Sequence, residues 1–168
     1  IRNVVAACEQ HRCKLVFFDN VYAIGGNNVK HITEESPISP VSKKGEIRAW
    51  VDKYIMNHVA AGTLQAIIAR SPDFFGPVKD NSMLMIMLYD NLKKGKQSQW
   101  ICSADVVHSM GYTVDLAKGT AILGNTPDAF NQVWNLPVDP ERLTGRQWVK
   151  VFQKEMGGSD KVSVLPGW

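Results

Sequence analysis

SKKGEIRAWVDKYIMNHVAAGTLQAIIAR, residues 42–70, decides the fold. Ile47, Val51, Tyr54, Ile55 and Val59 recur at the spacing of one helical face, so the pattern predicts a helix from about Ser42. Gly62 stands where a left-handed cap would end it. LQAIIAR at 64–70 then reads as a strand buried on both faces. Upstream, KLVFF at 14–18 reads the same way, and its composition is that of a sticky segment if it were exposed. From Asp19 to Pro40 the chain carries GG, NN and two Ser-Pro pairs, all turn chemistry. Strand, loop, helix and strand in that order make a βαβ crossover, which predicts a parallel sheet with helices on both faces.

One detail of that helix is unexpected. Its first turn carries Lys43 and Lys44, although the amino end of a helix bears roughly half a positive charge and an ammonium there costs a few tenths of a kcal/mol. Lys93 and Lys94 sit at the carboxyl end of another expected helix, where the dipole favours them. That helix has Asn81 or Ser82 as its cap and Leu84, Met85, Leu88 and Leu92 on one face. SQWIC reads as a strand, TVDLAKGTAIL as a helix with Thr113 as candidate cap and Asp115 in its first turn, and QVWNLP as a strand. Thr144 and Gln147 form a capping box before Trp148, Val151 and Phe152, and Gly157 closes that helix. At the start, Val4, Val5 and Cys8 share a helical face, and KVSVLPGW closes the chain on a strand-like run. Opening without Met inside an element, the chain is expected to be part of a longer protein.

With 168 residues and 45% hydrophobic content, the chain suits a folded protein with a proper core. The net charge of +3 is dispersed, and the longest cluster is KKGK at 93–96, so nucleic acid is not an expected partner. Cys8, Cys13 and Cys102 lack metal-ligand spacing and read as buried reduced thiols of a cytoplasmic protein. The apolar run MLMIML is far short of a membrane span, so no membrane partner is expected.

Taken in order, VFFDNVYAIGG, ITEESPISPVSKKGEIRA, IIARSPDFFGP, YTVDLAKGTAIL, QVWNLP and LTGRQWVKVFQKEMG resemble the extended short-chain dehydrogenase/reductase superfamily. The branch they resemble is the NAD-dependent epimerase/dehydratase family acting on nucleotide sugars. The resemblance implies an α/β fold. The chain would supply the C-terminal part of a doubly wound, Rossmann-like parallel sheet plus a smaller α+β substrate domain. Residues 1–69 would be the back half of the NAD(P)-binding domain and 70–168 mostly the substrate-binding region, with segments returning to the sheet. The glycine-rich turn that cradles the pyrophosphate follows no strand here, so roughly one hundred residues of front half are expected upstream.

The resemblance gives the lysines a candidate answer. Members carry a Tyr and, four residues later, a Lys that lowers the phenol's pKa and holds the nicotinamide ribose. Lys44 takes the lysine position as a catalytic and cofactor-binding residue, whereas Pro40 stands where the Tyr would be. Tyr89 and Lys93 have the right spacing but lie beyond the second strand, a chance match. The family's serine aligns with Phe18; Asp19, Asn20 and Tyr22 could supply polar atoms there, with Asn20 and Tyr22 the catalytic candidates, although Asp and Asn at a strand end more often build the turn. Ser71 and Pro72 match positions lining the nicotinamide. Arg70 and Asp73 fall on the substrate side, and Asp73 stands where an Asn often faces the sugar-nucleotide phosphates. A carboxylate there repels a diphosphate unless protonated or turned away. Phe74, Phe75 and Pro77 are expected to pack, Arg48 to be a surface residue where relatives have Glu, and His108 to be structural.

Two functions follow. One is part of an NAD- or NADP-dependent oxidoreductase working on a nucleotide sugar, inactive as this piece alone; the other is a catalytically depleted NAD(P) sensor of the same fold. A homodimer through the Ser42 helix is expected in either case.

Overall fold

The computed structural model describes residues 1–77 and 82–167. Its helices are α1 Arg2–His11, α2 Lys43–Ala60, α3 Asp90–Lys93, α4 Thr113–Gly124 and α5 Gly145–Met156. Its strands are β1 Leu15–Asn20, β2 Ala66–Ser71, β3 Asp73–Phe75, β4 Ser98–Ile101, β5 Met110–Tyr112, β6 Gln132–Asn135 and β7 Val162–Leu165. The chain divides into two compact units, Ile1–Pro72 with Leu116–Pro137, and Asp73–Asp115 with the chain from Val138 on.

In the first unit β1, β2 and β6 form a parallel sheet in that order. Pairing runs from Leu15↔Ala66 to Asn20↔Ser71, which sets Asp19 beside Arg70. On the central strand β2, Ala66 and Ile68 pack with Val5, Val51 and Ile55, whereas Ile67 and Ala69 pack with Leu116, Phe130 and Leu136. Helices on both faces are why this strand is almost unbroken in its apolar character. Each isoleucine so buried contributes roughly 1.5–3 kcal/mol. KLVFF departs from the expectation of burial on both faces. Leu15, Val16 and Phe17 are half-buried and Phe18 is 44% exposed, because β1 is the end strand of the described sheet.

α2 begins as predicted: Ser42 Oγ accepts the Gly45 N–H at 3.1 Å, and Gly62 follows its end with φ 72°. Its predicted face is buried at Val51 and Ile55, with Tyr54 and Val59 packed against the same core. Ile47 is the exception: about 200° around the helix from the buried Gly45, it is exposed. Val4 is exposed on α1 for a like reason, one residue and about 100° from the buried Val5.

The second unit has two parallel strand pairs, β3 with β5 and β4 with β7. Its core gathers Leu84, Met87, Leu88, Trp100, Met110, Trp148 and Val149. Met87 is buried where Met85 was expected, because residues 85–89 form a wider π turn that re-aims the side chains before α3. Of the two candidate caps, Asn81 lies outside the described residues; Ser82 Oγ accepts the Met85 N–H at 3.4 Å. The Thr144–Gln147 capping box forms as predicted. β3 and β5, three residues each, are additions to the predicted elements. The cysteines are free thiols but not buried ones: Cys13 and Cys102 are exposed and Cys8 half-buried. No helix among the described residues is long and apolar enough to cross a membrane.

Candidate functional site

Within the first unit, the carboxyl ends of β1 and β2 meet the first turn of α2. Asn20 Oδ1 accepts the Tyr22 N–H at 3.0 Å, building the turn that leaves β1, and the Val21 N–H donates to the Ser71 carbonyl at 3.2 Å. α2 then comes in close over this turn. A Cβ on the buried Gly45 would collide with the Tyr22 carbonyl oxygen, so only glycine permits the approach. The two lysines part company here. Lys43 pairs with Glu46 at 3.3 Å on the surface, whereas Lys44 Nζ lies 4.4 Å from the centre of the Tyr22 ring. A cation over an aromatic face gains about 0.5–1 kcal/mol at exposed sites, which offsets the unfavourable helix end. Lys44, Tyr22 and Asn20 are thus brought together.

Beneath them runs a set of ionisable side chains. Arg48 Nη1 lies 3.0 Å from Asp19 Oδ1, and the Asp19 side chain is wholly buried. Burial first, then the Asp52 carboxyl beside it, push the Asp19 carboxyl up to about 7, against the pull of the Asn20 N–H and Arg48. Asp52 in turn accepts from Arg70, at 2.7 Å from Nη2 and 3.2 Å from Nε, and both side chains are buried. Arg48 is thus half-buried rather than a free surface residue: 35% of its side chain stays exposed while Asp19, pointing inward from β1, draws the guanidinium to it. Arg70 is committed to Asp52, and the buried Ser71 donates its hydroxyl to the Pro72 carbonyl at 2.8 Å. A cavity of about 500 Å³ in this unit is lined by Trp50, Met56, Val133 and the Asp52–Arg70 pair, and by none of Asn20, Tyr22 and Lys44.

The loop above is fastened. Ser39 Oγ donates to the Gly25 carbonyl at 3.1 Å and accepts from Asn28 Nδ2 at 2.9 Å, and Glu34 accepts the Asn135 N–H at 2.8 Å. Ala23 and Ile24 are buried beneath it.

In the second unit Asp73, on β3, holds His108: Oδ2 lies 2.9 Å from Nε2. Phe75 packs edge-on against Trp148 and tilted against Tyr112, as expected of a packing residue.

The family model for the NAD dependent epimerase/dehydratase family matches residues 1–136. The chain belongs to this family. Solved structures with the family's names share its fold. UDP-N-acetylglucosamine 4-epimerase from Methanobrevibacter ruminantium M1 is 16% identical with a TM-score of 0.88, over 99% of this chain and 55% of that one. The dTDP-glucose 4,6-dehydratase from Bacillus anthracis, solved in complex with NAD, is 18% identical with a TM-score of 0.84, over 99% of this chain and 54% of that one. A curated protein of Sinorhizobium fredii, the uncharacterized y4nL, is 35% identical over 88 residues, 52% of this chain and 24% of that protein. The chain thus spans about half the length of those structures and about a quarter of the curated relative.

Against the family pattern, the residues missed in the sequence are Asp52 and the cation for Asp19. Asp52 did leave a signal: an acid between Val51 and Ile55 on an otherwise apolar helix face calls for a buried partner.

Proposed function

We propose that this chain is the back part of an NAD(P)-dependent oxidoreductase of the epimerase/dehydratase kind that takes a hydride from a carbon of a nucleotide sugar. Lys44 stands beside the nicotinamide ribose, Asn20 and Tyr22 supply the polar atoms at the end of β1, and Ser71 and Pro72 border the nicotinamide. Residues 1–69 belong to the cofactor-binding half and 70–168 mostly to the substrate side, to which Asp73 belongs, while the buried Arg70 braces the end of β2 through Asp52. The observation that carries this reading is Lys44 held over Tyr22 at the carboxyl end of a parallel strand, the end at which open α/β sheets bind their ligands. Family membership and relatives named as NAD and UDP-glucose complexes support the substrate class. The fragment alone is inactive, the whole protein works in the cytoplasm, and it pairs through α2, where Ile47 and Trp50 are exposed.

The test is to denature the purified whole protein and identify any released nucleotide by chromatography and mass. NAD or NADP in wild type, and its loss in Lys44→Ala, is the expected result; no nucleotide and no binding of added NAD(P)H overturns the reading. One observation favours a second reading, a sensor that binds the dinucleotide without turnover: Pro40 stands four residues before Lys44 and has no proton to give. Bound nucleotide with no oxidation of any sugar nucleotide selects the sensor.

A further inference from the structure

His108 is held more firmly than an exposed histidine requires. Its N–H donates to the Leu143 carbonyl at 3.0 Å, and its own carbonyl accepts the Trp148 indole N–H at 3.1 Å. Its ring meets Trp100 edge-on at 5.9 Å, and Nε2 lies 2.9 Å from Asp73 Oδ2. Trp100 and Trp148 belong to the buried core of the second unit, so the imidazole is mounted on that core, yet its side chain is 40% exposed. An exposed ion pair contributes only about 0–1 kcal/mol, so stability does not account for four constraints on one residue. A carboxylate on one ring nitrogen does something else: it fixes the tautomer. In the neutral ring, a carboxylate on Nε2 favours the tautomer with its hydrogen there and the lone pair on Nδ1, which makes no hydrogen bond among the described residues.

We propose that His108 is a ligand-facing acid–base group, that Asp73 is its positioning residue, and that Nδ1 takes a hydroxyl of a carbohydrate ligand. The ligand class rests on the function proposed above; the pair does not. In the step, the ligand's O–H bond breaks and its proton passes to Nδ1. The electron pair stays on the ligand oxygen, and the imidazolium that forms is held against the Asp73 carboxylate. This gives an acid at position 73 a use. A carboxylate that would repel a diphosphate stabilises an imidazolium instead. The half-exposed Tyr112, which packs against Phe75 on the same face of the β3–β5 pair as Asp73, offers an aromatic face for the C–H side of a sugar ring.

The experiment treats the intact protein with diethyl pyrocarbonate, which acylates unprotonated imidazole nitrogen, and reads the rate at each histidine by peptide mass. His108 is expected to react several times faster than the exposed His11 and His31. Asp73→Asn slows His108 to the rate of His11 while leaving His11 unchanged. UDP-glucose protects His108, and UDP does not. A His108 rate at or below that of His11 overturns the proposal. Fast reaction without protection by UDP-glucose keeps the pair and overturns its carbohydrate ligand. Should Asp73→Asn fail to fold, the imidazole 15N shifts of the wild-type protein decide: a hydrogen on Nδ1 rather than Nε2 overturns the assignment.

Discussion

Each unit holds an aspartate against a basic side chain, and the two pairs differ in what surrounds them. Asp52 and Arg70 are 6% and 4% exposed in their side chains, between a helix and the central strand. Asp73 and His108 are 27% and 40% exposed. The chemistry of contact is alike, but the energetics are not. A sealed pair cannot lose a partner without stranding a charge, whereas an open one can hand its free nitrogen to a ligand and be rehydrated at little cost. Burial, more than partner identity, separates scaffold from candidate machinery here.

The sealed pair carries the largest expected effect. Asp52→Ala leaves the Arg70 guanidinium buried alone and is expected to lower unfolding free energy by about 3–5 kcal/mol in urea titrations. Next comes Asp19, the neighbour of that pair. Folding raises its carboxyl from 3.8 to about 7, so the folded chain keeps a proton that the unfolded chain has already lost. The stabilisation from that proton is full below pH 4 and is lost as pH rises toward 7, by up to about 4 kcal/mol. Asp19→Asn should flatten this slope in melts run at stepped pH; an unchanged slope would place the titration elsewhere. Gly45→Ala drives a methyl into the Tyr22 carbonyl and is expected to cost about 1–3 kcal/mol, despite alanine's better helix propensity. The smallest effect sharpens the contrast: Asp73→Ala should change stability by no more than about 1 kcal/mol, while altering the reactivity of His108.

Much of the first unit was legible because it is built from strong local signals. The Ser42 cap, the Gly62 stop and the AII run of β2 each have one physical reading, and together they leave only a parallel crossover. Phe18 was misread because an end strand and a central strand carry the same apolar letters; only pairing tells them apart. β3 and β5 escaped because three residues cannot display a period. At the candidate site, the cost of Lys44 at a helix start singled it out, and the structure gives it a partner in the Tyr22 ring. Arg48 and His108 were not legible, since what makes each unusual is a partner twenty-nine or thirty-five residues away, Asp19 and Asp73. Long-range charge pairing leaves no periodic trace.

The edge-on contact between Trp100 and His108 has an optical consequence. Imidazolium quenches indole emission and neutral imidazole does so far less, so a ring 5.9 Å away makes Trp100 a built-in indicator of whether His108 carries its second proton. Fluorescence intensity followed across pH, with Trp100→Phe to isolate the signal from the chain's other four tryptophans, reads the charge of that imidazole without any label.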